Sequence, residues 1–313
     1  MGSPATSAPP RLHPSCLVLR RSAAKEGSCT GDAVAGSRLT NNSRAPFSGF
    51  ALPRVFFAAL VFAVLSFLAA SDAQAGTRVW TGLGTSNVWS DAANWTGGAG
   101  GGDLLTFGGT TRLTNTNNFT DVNATNVSIN FATTAGAFVL NGNTEFLTDG
   151  ITNSSTNSIQ TLNLGLTFQV ATASIATASN GMIMNGVVAG TNINKTGAST
   201  LFLNGTNTFT GIFTNAAGAT RVGNNSALGT TNSGTVIVSG GALELTTNSA
   251  GGNISIGAEA LSLAGTGINS AGALRNITGS NTFGGAITLA AAAEIASDAG
   301  TLVLTNTIGG DFL

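Results

Sequence analysis

The sequence predicts an all-β chain wound as a parallel β-helix, a solenoid of short repeated coils, and three observations carry that prediction. Pairs of aliphatic residues separated by one position recur along the chain, closed by Gly or Asn. That is the period of a short strand with one face inward. The phrase "LNGTNTFTG" at 203–211 returns as "ITGSNTFGG" at 277–285, so Gly205, Asn207, Phe209 and Gly211 meet Gly279, Asn281, Phe283 and Gly285 at an offset of 74. This offset fits about three coils of ~20–29 residues each. A weaker echo, "LNGNTEF" at 140–146, lies 63 residues before the first phrase. Finally, 12 basic and 13 acidic residues make up only 8% of the 313, far below the ~25% of an ordinary domain. With 43 Gly and no Tyr, small polar residues between aliphatics suit a long, thin β structure better than one thick core.

Residues 1–53 hold Ser, Pro, Ala and Arg in no discernible period. They read as an N-terminal extension, disordered or upstream of the true start. Both cysteines (Cys16, Cys29) and the single histidine (His13) lie there, and seven of the basic residues precede residue 55. Residues 54–75 then read as a signal peptide. Arg54 precedes the apolar run "VFFAALVFAVLSFLAA" (55–70), and Ala73-Gln74-Ala75 before Gly76 makes an A-x-A cleavage site. The rival reading is a membrane anchor, but sixteen residues fall short of the ~20 that span a bilayer, and no basic stop-transfer cluster follows. From Gly76 onward ten acidic residues face five basic ones (Arg78, Arg112, Lys195, Arg221, Arg275). Such a weakly acidic body has no phosphate-neutralising footprint, so nucleic acid is not an expected partner.

Residues 76–109 carry all three tryptophans, Trp80, Trp89 and Trp95, within "VWTGLGTSNVWSDAANWTGG". They read as an N-terminal cap over the exposed apolar end of a solenoid; the rival is a sugar-stacking platform. Leu105 and Phe107 in "DLLTFGG" then open the first buried strand.

Residues 110–313 are the repeats. "FVLNG" (138–142), "LNLG" (162–165), "LFLNG" (201–205), "VIVSG" (236–240), "LEL" (243–245), "ISIG" (254–257), "LSLAG" (261–265), "ITL" (287–289) and "LVLTN" (302–306) each read as a strand ending at a tight corner. "AITLAAAAEIA" (286–296) has alanines enough for a helix but keeps strand alternation. A sandwich or barrel is the competing all-β architecture. Stacking is favoured because a coil rewards the same residue at the same corner, with like residues ~4.8 Å apart. Recurrent corner Asn is expected to form amide ladders, and Phe209 and Phe283 to mark stacking positions. At ~22 residues per coil the body makes about 11 coils, a rod about 50 Å long.

The segment "STLFLNGTNTFTGIFTNAAGATRVGNNSALGTTNSGTVIVSGGALEL" (199–245) resembles the autotransporter passenger-associated transport repeat, also called the autotransporter-associated β-strand repeat. Leu201, Leu203, Asn204, Gly205, Asn207, Thr208, Phe209 and Gly211 match its first half, and 222–229, "VGNNSALG", its second. The resemblance implies a right-handed parallel β-helix exported to the bacterial cell surface or outer membrane, with a non-catalytic stalk and adhesin-like surface contacts. Such proteins end in a membrane β-barrel, whose ~10-residue alternating strands and aromatic girdles do not occur here. The chain ends at "IGGDFL" where another coil is expected, which reads as a fragment lacking an outer-membrane translocator or as a repeat protein exported another way.

Chemistry is sought in the acids Asp91, Asp103, Asp121, Glu145, Asp149, Glu244, Glu259, Glu294, Asp298 and Asp311. A retaining glycosidase pair needs carboxylates ~5–5.5 Å apart, and a lyase needs clustered acids with a basic proton acceptor. Neither register nor the scattered bases assemble such a set, so these acids read as solvated turn charges. Without His or Cys, the body offers no Ser-His-Asp or Cys-His site. No calcium nonapeptide, EF-hand or metal-spaced ligand set occurs. The expectation is therefore no catalytic, cofactor-binding or metal residues and no cofactor. Expected partners are cell-surface or polysaccharide contacts, and the alternative function is a carbohydrate-acting β-helix enzyme or glycan-binding module.

Overall fold

The computed structural model describes residues 75–98, 101–120 and 125–310. The N-terminal extension, the segment before Ala75 read as a signal peptide, Asp121 and Asp311 lie outside the described residues. Within them the chain is all-β, its only helical elements being two 3-10 turns, Ala92–Asn94 and Ile268–Ser270. An eleven-stranded sheet begins at Thr77–Trp80 and ends at Ile308–Gly309; a nine-stranded sheet runs from Thr114–Asn117 to Ile295–Ser297. The ten pairings of the larger sheet are all parallel. Nine successive turns carry one strand of each sheet, so the chain is a β-solenoid of about nine turns. The sequence reading expects about 11 coils and the structure has about nine, since the first and last strands of the larger sheet have no counterpart in the nine-stranded sheet; the ten steps of the larger sheet at ~4.8 Å give about 48 Å.

The third side of each turn is less regular. Four early turns contribute a four-stranded sheet ending at Val188–Ala189, and three late turns a three-stranded sheet starting at Ser255–Ile256. Between them lie two turns whose third side has no strand, at 204–212 and 223–234. These are the segments "NGTNTFTGI" and "GNNSALGTTNSG". Here scattered backbone bonds to the preceding turn, such as Thr208 N–H to Val188 O and Thr230 N–H to Phe209 O, and the Asn207 side chain hold the path.

Stacking follows from the register. Leu140 lies beside Leu162, Leu162 beside Met184, and Met184 beside Leu203, all buried. A second inward column runs Ile129, Ile151, Ile175 on the larger sheet. Each inward aliphatic loses nearly all its water contact, and truncating one to Ala would cost about 2–5 kcal/mol. The phrases at 203 and 277 do lie three turns apart, and so do the echo at 140 and the phrase at 203. The backbone N–H of Val188 donates to Asn207 Oδ1, and that of Ile254 to Asn281 Oδ1, each at 2.8 Å. The repeated Asn therefore repeats one task, holding the strand of the preceding turn.

Three registers differ from the sequence reading. In "VIVSG" the inward residue is Ile237, paired with buried Thr235, while Val238 faces out at 41% exposure. A run of three β-branched residues gives no alternation to choose a face. In the later phrase, Asn276, not Ile277, continues the inward column above Leu245. In the echo, Glu145 and Leu147 point inward and Phe146 sits between them. Phe209 does not meet Phe283 either; its ring stacks on Phe213 at 5.9 Å.

Candidate functional site

The inward corners hold the polar chemistry of the molecule. Where the chain turns, backbone carbonyls point into the core and need donors, because an unpaired buried carbonyl costs about 1–3 kcal/mol. The donor comes from the last inward residue of the strand. Asn153 Nδ2 donates to Gly181 O at 2.9 Å, and Asn215 Nδ2 to Gly218 O and Ala242 O at 2.9 and 3.0 Å. Asn276 Nδ2 reaches Gly279 O and Ala299 O at 3.0 and 2.8 Å. Lys195 occupies the same place, beside Asn215 in the register and fully buried. Its Nζ donates to the carbonyls of Gly197, Ser199 and Ala217 at 2.7, 2.6 and 2.5 Å. Burial lowers its pKa to about 8. Sequence reading had treated Lys195 as one scattered base. The signal was present in "ITN", "INK", "FTN" and "LRN", an apolar residue and a polar one two positions later, just before a corner.

Four of the acids read as solvated turn charges are instead buried. Asp103 meets the Arg78 guanidinium at 2.6 Å. Glu244 lies between Arg221 at 2.6 Å and Arg275 at 3.4 Å, and Arg275 continues to Asp298 at 2.5 Å. This outward ladder steps from turn to turn because Arg221, Glu244 and Arg275 share one register column. Glu259 accepts from Thr235 Oγ1 at 2.8 Å, and burial raises its pKa. Among the described residues Glu145 has no ion-pair partner: its oxygens accept from Asn126 Nδ2 at 2.6 Å and Asn117 Nδ2 at 2.9 Å. Burial pushes its pKa to about 7, against the two amide bonds that favour the anion. That value would suit a general acid. At 1% exposure, however, its carboxyl is sealed in the wall and cannot meet a substrate. Asp91 remains a turn residue, its pKa lowered chiefly by hydrogen bonds from Ser86. Among the described residues no three His, Cys, Asp or Glu side chains gather as metal ligands.

The tryptophans are also inside. Trp80, Trp89 and Trp95 are at most 5% exposed and pack around Phe107 at centroid distances of 5.4–5.9 Å. Their indole N–H groups donate to Thr111 O, Asn115 Oδ1 and Trp89 O. No indole face is free for stacking on a sugar.

Beside that charged ladder, the outer surface carries a regular neutral one. Asn163 donates to Asn141, Asn185 to Asn163, and Asn204 to Asn185, at 2.8, 2.8 and 2.9 Å. This is the expected amide ladder; Gly223 ends it, because a Cβ there would lie 2.6 Å from Asn204 Oδ1. Among the described residues two shallow grooves stand out on the surface. One, of about 340 Å³, is lined by Thr172, Asn192, Ile193, Asn194, Ile212 and Thr214. The other, of about 220 Å³, lies between Ile159, Asn180 and Phe202. Compared with known proteins, the chain matches no family model, no curated protein and no solved structure.

Proposed function

We propose that this chain is an exported structural stalk of the autotransporter passenger type, spacing or displaying material at a bacterial surface and making weak, repeated contacts. The observation that carries this reading is the commitment of the buried polar groups. Lys195, Glu145, Glu244 and the inward Asn side chains are held by corners, amides or counter-ions of the solenoid itself. A group engaged in that way supports the wall and is not free to move a substrate proton. Outward-facing Asn, Thr and Ser suit shallow hydrogen bonding, whose strength grows with the number of presented copies. The tryptophan cluster serves as the cover of the N-terminal end in this reading. The apolar run at 55–70 supplies the export signal in this reading.

The test has two parts. Expressed at full length in a bacterium with an outer membrane, the protein should leave the cytoplasm and begin at Gly76. Incubated with plant and bacterial polysaccharides, it should release neither reducing ends nor unsaturated products. Turnover abolished by a single Asp or Glu substitution would replace the stalk by the carbohydrate-acting enzyme.

A further inference from the structure

The two ends of the solenoid are finished differently. At the first end, the strands that open the sheets are bonded to the tryptophan segment. Val79 N–H donates to Thr96 Oγ1 and Thr96 N–H to Val79 O, both at 2.9 Å. Trp89 N–H donates to Thr116 O at 2.9 Å, and Gly102 N–H to Thr125 O at 2.6 Å. At the last end, Ile295–Ser297, Thr301–Leu304 and Ile308–Gly309 are each the final strand of a sheet. The inward columns stop with them. Ile287, Phe283 and Leu274 are buried, but Ile308 beside Ile287 is 49% exposed. Leu304 beside Phe283 and Ile295 beside Leu274 are only partly buried. The core therefore lies open in cross-section. Solvent-facing edges are commonly guarded by Lys, Pro or inward charge. Residues 299–310 contain no Pro and no charged residue, and Asp298 is engaged by Arg275. Thr301 and Thr305 N–H donate back to Gly279 O and Phe283 O, so the N–H and C=O groups of Leu302 and Leu304 face off the end.

We propose that the 313-residue chain pairs tail to tail with a second copy of itself through this open end, about a two-fold axis at Val303. Each turn of a solenoid climbs as it winds, so Ile295–Ser297 sits low, Thr301–Leu304 midway and Ile308–Gly309 high. A second copy turned over sets its high strand on the low one and its middle strand on the middle one. The steps cancel, and all three sides close together. The two Thr301–Leu304 strands then run antiparallel, with Val303 opposite Val303 and Leu302 opposite Leu304 of the second copy. Because Leu302 and Leu304 carry the outward-facing backbone groups, this register forms four backbone hydrogen bonds and keeps the leucines of both copies on the inner side. The last turn, 287–310, supplies about the 20–30 residues a side of a standard interface. Head-to-tail stacking would need the first end, where the tryptophan segment already occupies the edges. A lone peptide strand would pair one side and leave Ile295 and Ile308 in water. The contact is isologous and closes at two copies. The inference goes beyond the stalk reading and does not rest on it.

The experiment is sedimentation and light scattering of the full chain over a range of micromolar concentrations, where it should show twice its monomer mass. Val303 points outward at 41% exposure, so Val303→Lys should leave the circular dichroism and thermal midpoint of the single chain unchanged. It sets like charges face to face on the axis and should weaken the dimer at least about tenfold. Cross-linking reads the position of the axis. Opposed residues of a non-hydrogen-bonded antiparallel pair lie about 4.5 Å apart at Cα, within disulfide reach. In a chain carrying Cys16→Ser and Cys29→Ser, Val303→Cys should give a covalent dimer on air oxidation. Leu83→Cys, 78% exposed in the tryptophan segment, should not. A monomer at every concentration, a dimer indifferent to Val303→Lys, longer polymers, or cross-linking through Leu83→Cys in preference to Val303→Cys would each overturn the proposal. An exported chain that stays monomeric sinks only this inference. A dimer retained in the cytoplasm sinks the export reading and leaves the pairing as it stands.

Discussion

Asn185 and Asn215 are the same residue at successive kinds of corner, and they stand on opposite sides of the wall. Asn185 is exposed and bridges Asn163 and Asn204 in a line of side-chain amides. Asn215 is fully buried and donates to two backbone carbonyls, one from its own corner and one from the next turn. Water can replace every bond of the outer ladder, so its net worth is small. Nothing replaces the inner bonds, so losing them exposes the full desolvation cost of the carbonyls. A repeated Asn therefore marks a corner without saying how much that corner matters. The side of the wall decides.

The largest expected effect belongs to the inner side. Gly218 has φ +69, and a Cβ there would lie 2.5 Å from Lys195 Nζ and 2.6 Å from the carbonyl oxygens of Gly197 and Ser199. Gly218→Ala should cost about 4 kcal/mol through backbone strain and displacement of the lysine, read as a lower urea midpoint. An unchanged midpoint would mean that the inner corner is soft, and the contrast with the ladder would collapse.

Next comes Glu145, the inner acid held by two side-chain amides. Its folded pKa of about 7 lies above the ordinary 4.5, so the fold prefers its protonated form. Stability from this group is fully present below about 4.5 and is lost as pH rises through about 7, by about 3 kcal/mol. Urea unfolding across that window should show the decline, and Glu145→Gln should flatten it. A variant with the wild-type pH dependence would place the titration elsewhere.

Asn215→Ala should cost about 2 kcal/mol. Two carbonyls lose their donor, although the unpartnered Asn215 Oδ1 disappears with them and offsets part of the loss. On the outer side, Asn163→Ala removes one bond to Asn141 and one from Asn185 and should change stability by less than about 0.5 kcal/mol. If thermal unfolding ranks Asn163 above Asn215, the ladder and not the inner corner holds the turns together.

Much of this architecture is determined by the chain itself. Strand alternation in "LNLG" and "LSLAG" chooses the inward face, since only one face of each pair is apolar and the period is two. The recurrence of "NTF" fixes the three-turn spacing because the corner it builds is chosen by backbone geometry and by an Asn that reaches the preceding turn. Even the candidate groove was half visible: "NIN" sets Ile193 inward and Asn192 and Asn194 outward. Tertiary structure alone decided which residues paired across turns. Turn lengths differ, with partners 20 residues apart at Ile175 and Lys195 but 26 apart at Leu263 and Leu289. One residue more or fewer at a corner changes which side chain enters the core, and so Glu145 and Asn276 are inside while Phe146 and Ile277 are not. The burial of Lys195 was decided in the same way: its alternation points inward in the sequence, but the three carbonyls that make that place tolerable come together only when Ala217 of the next turn closes over it.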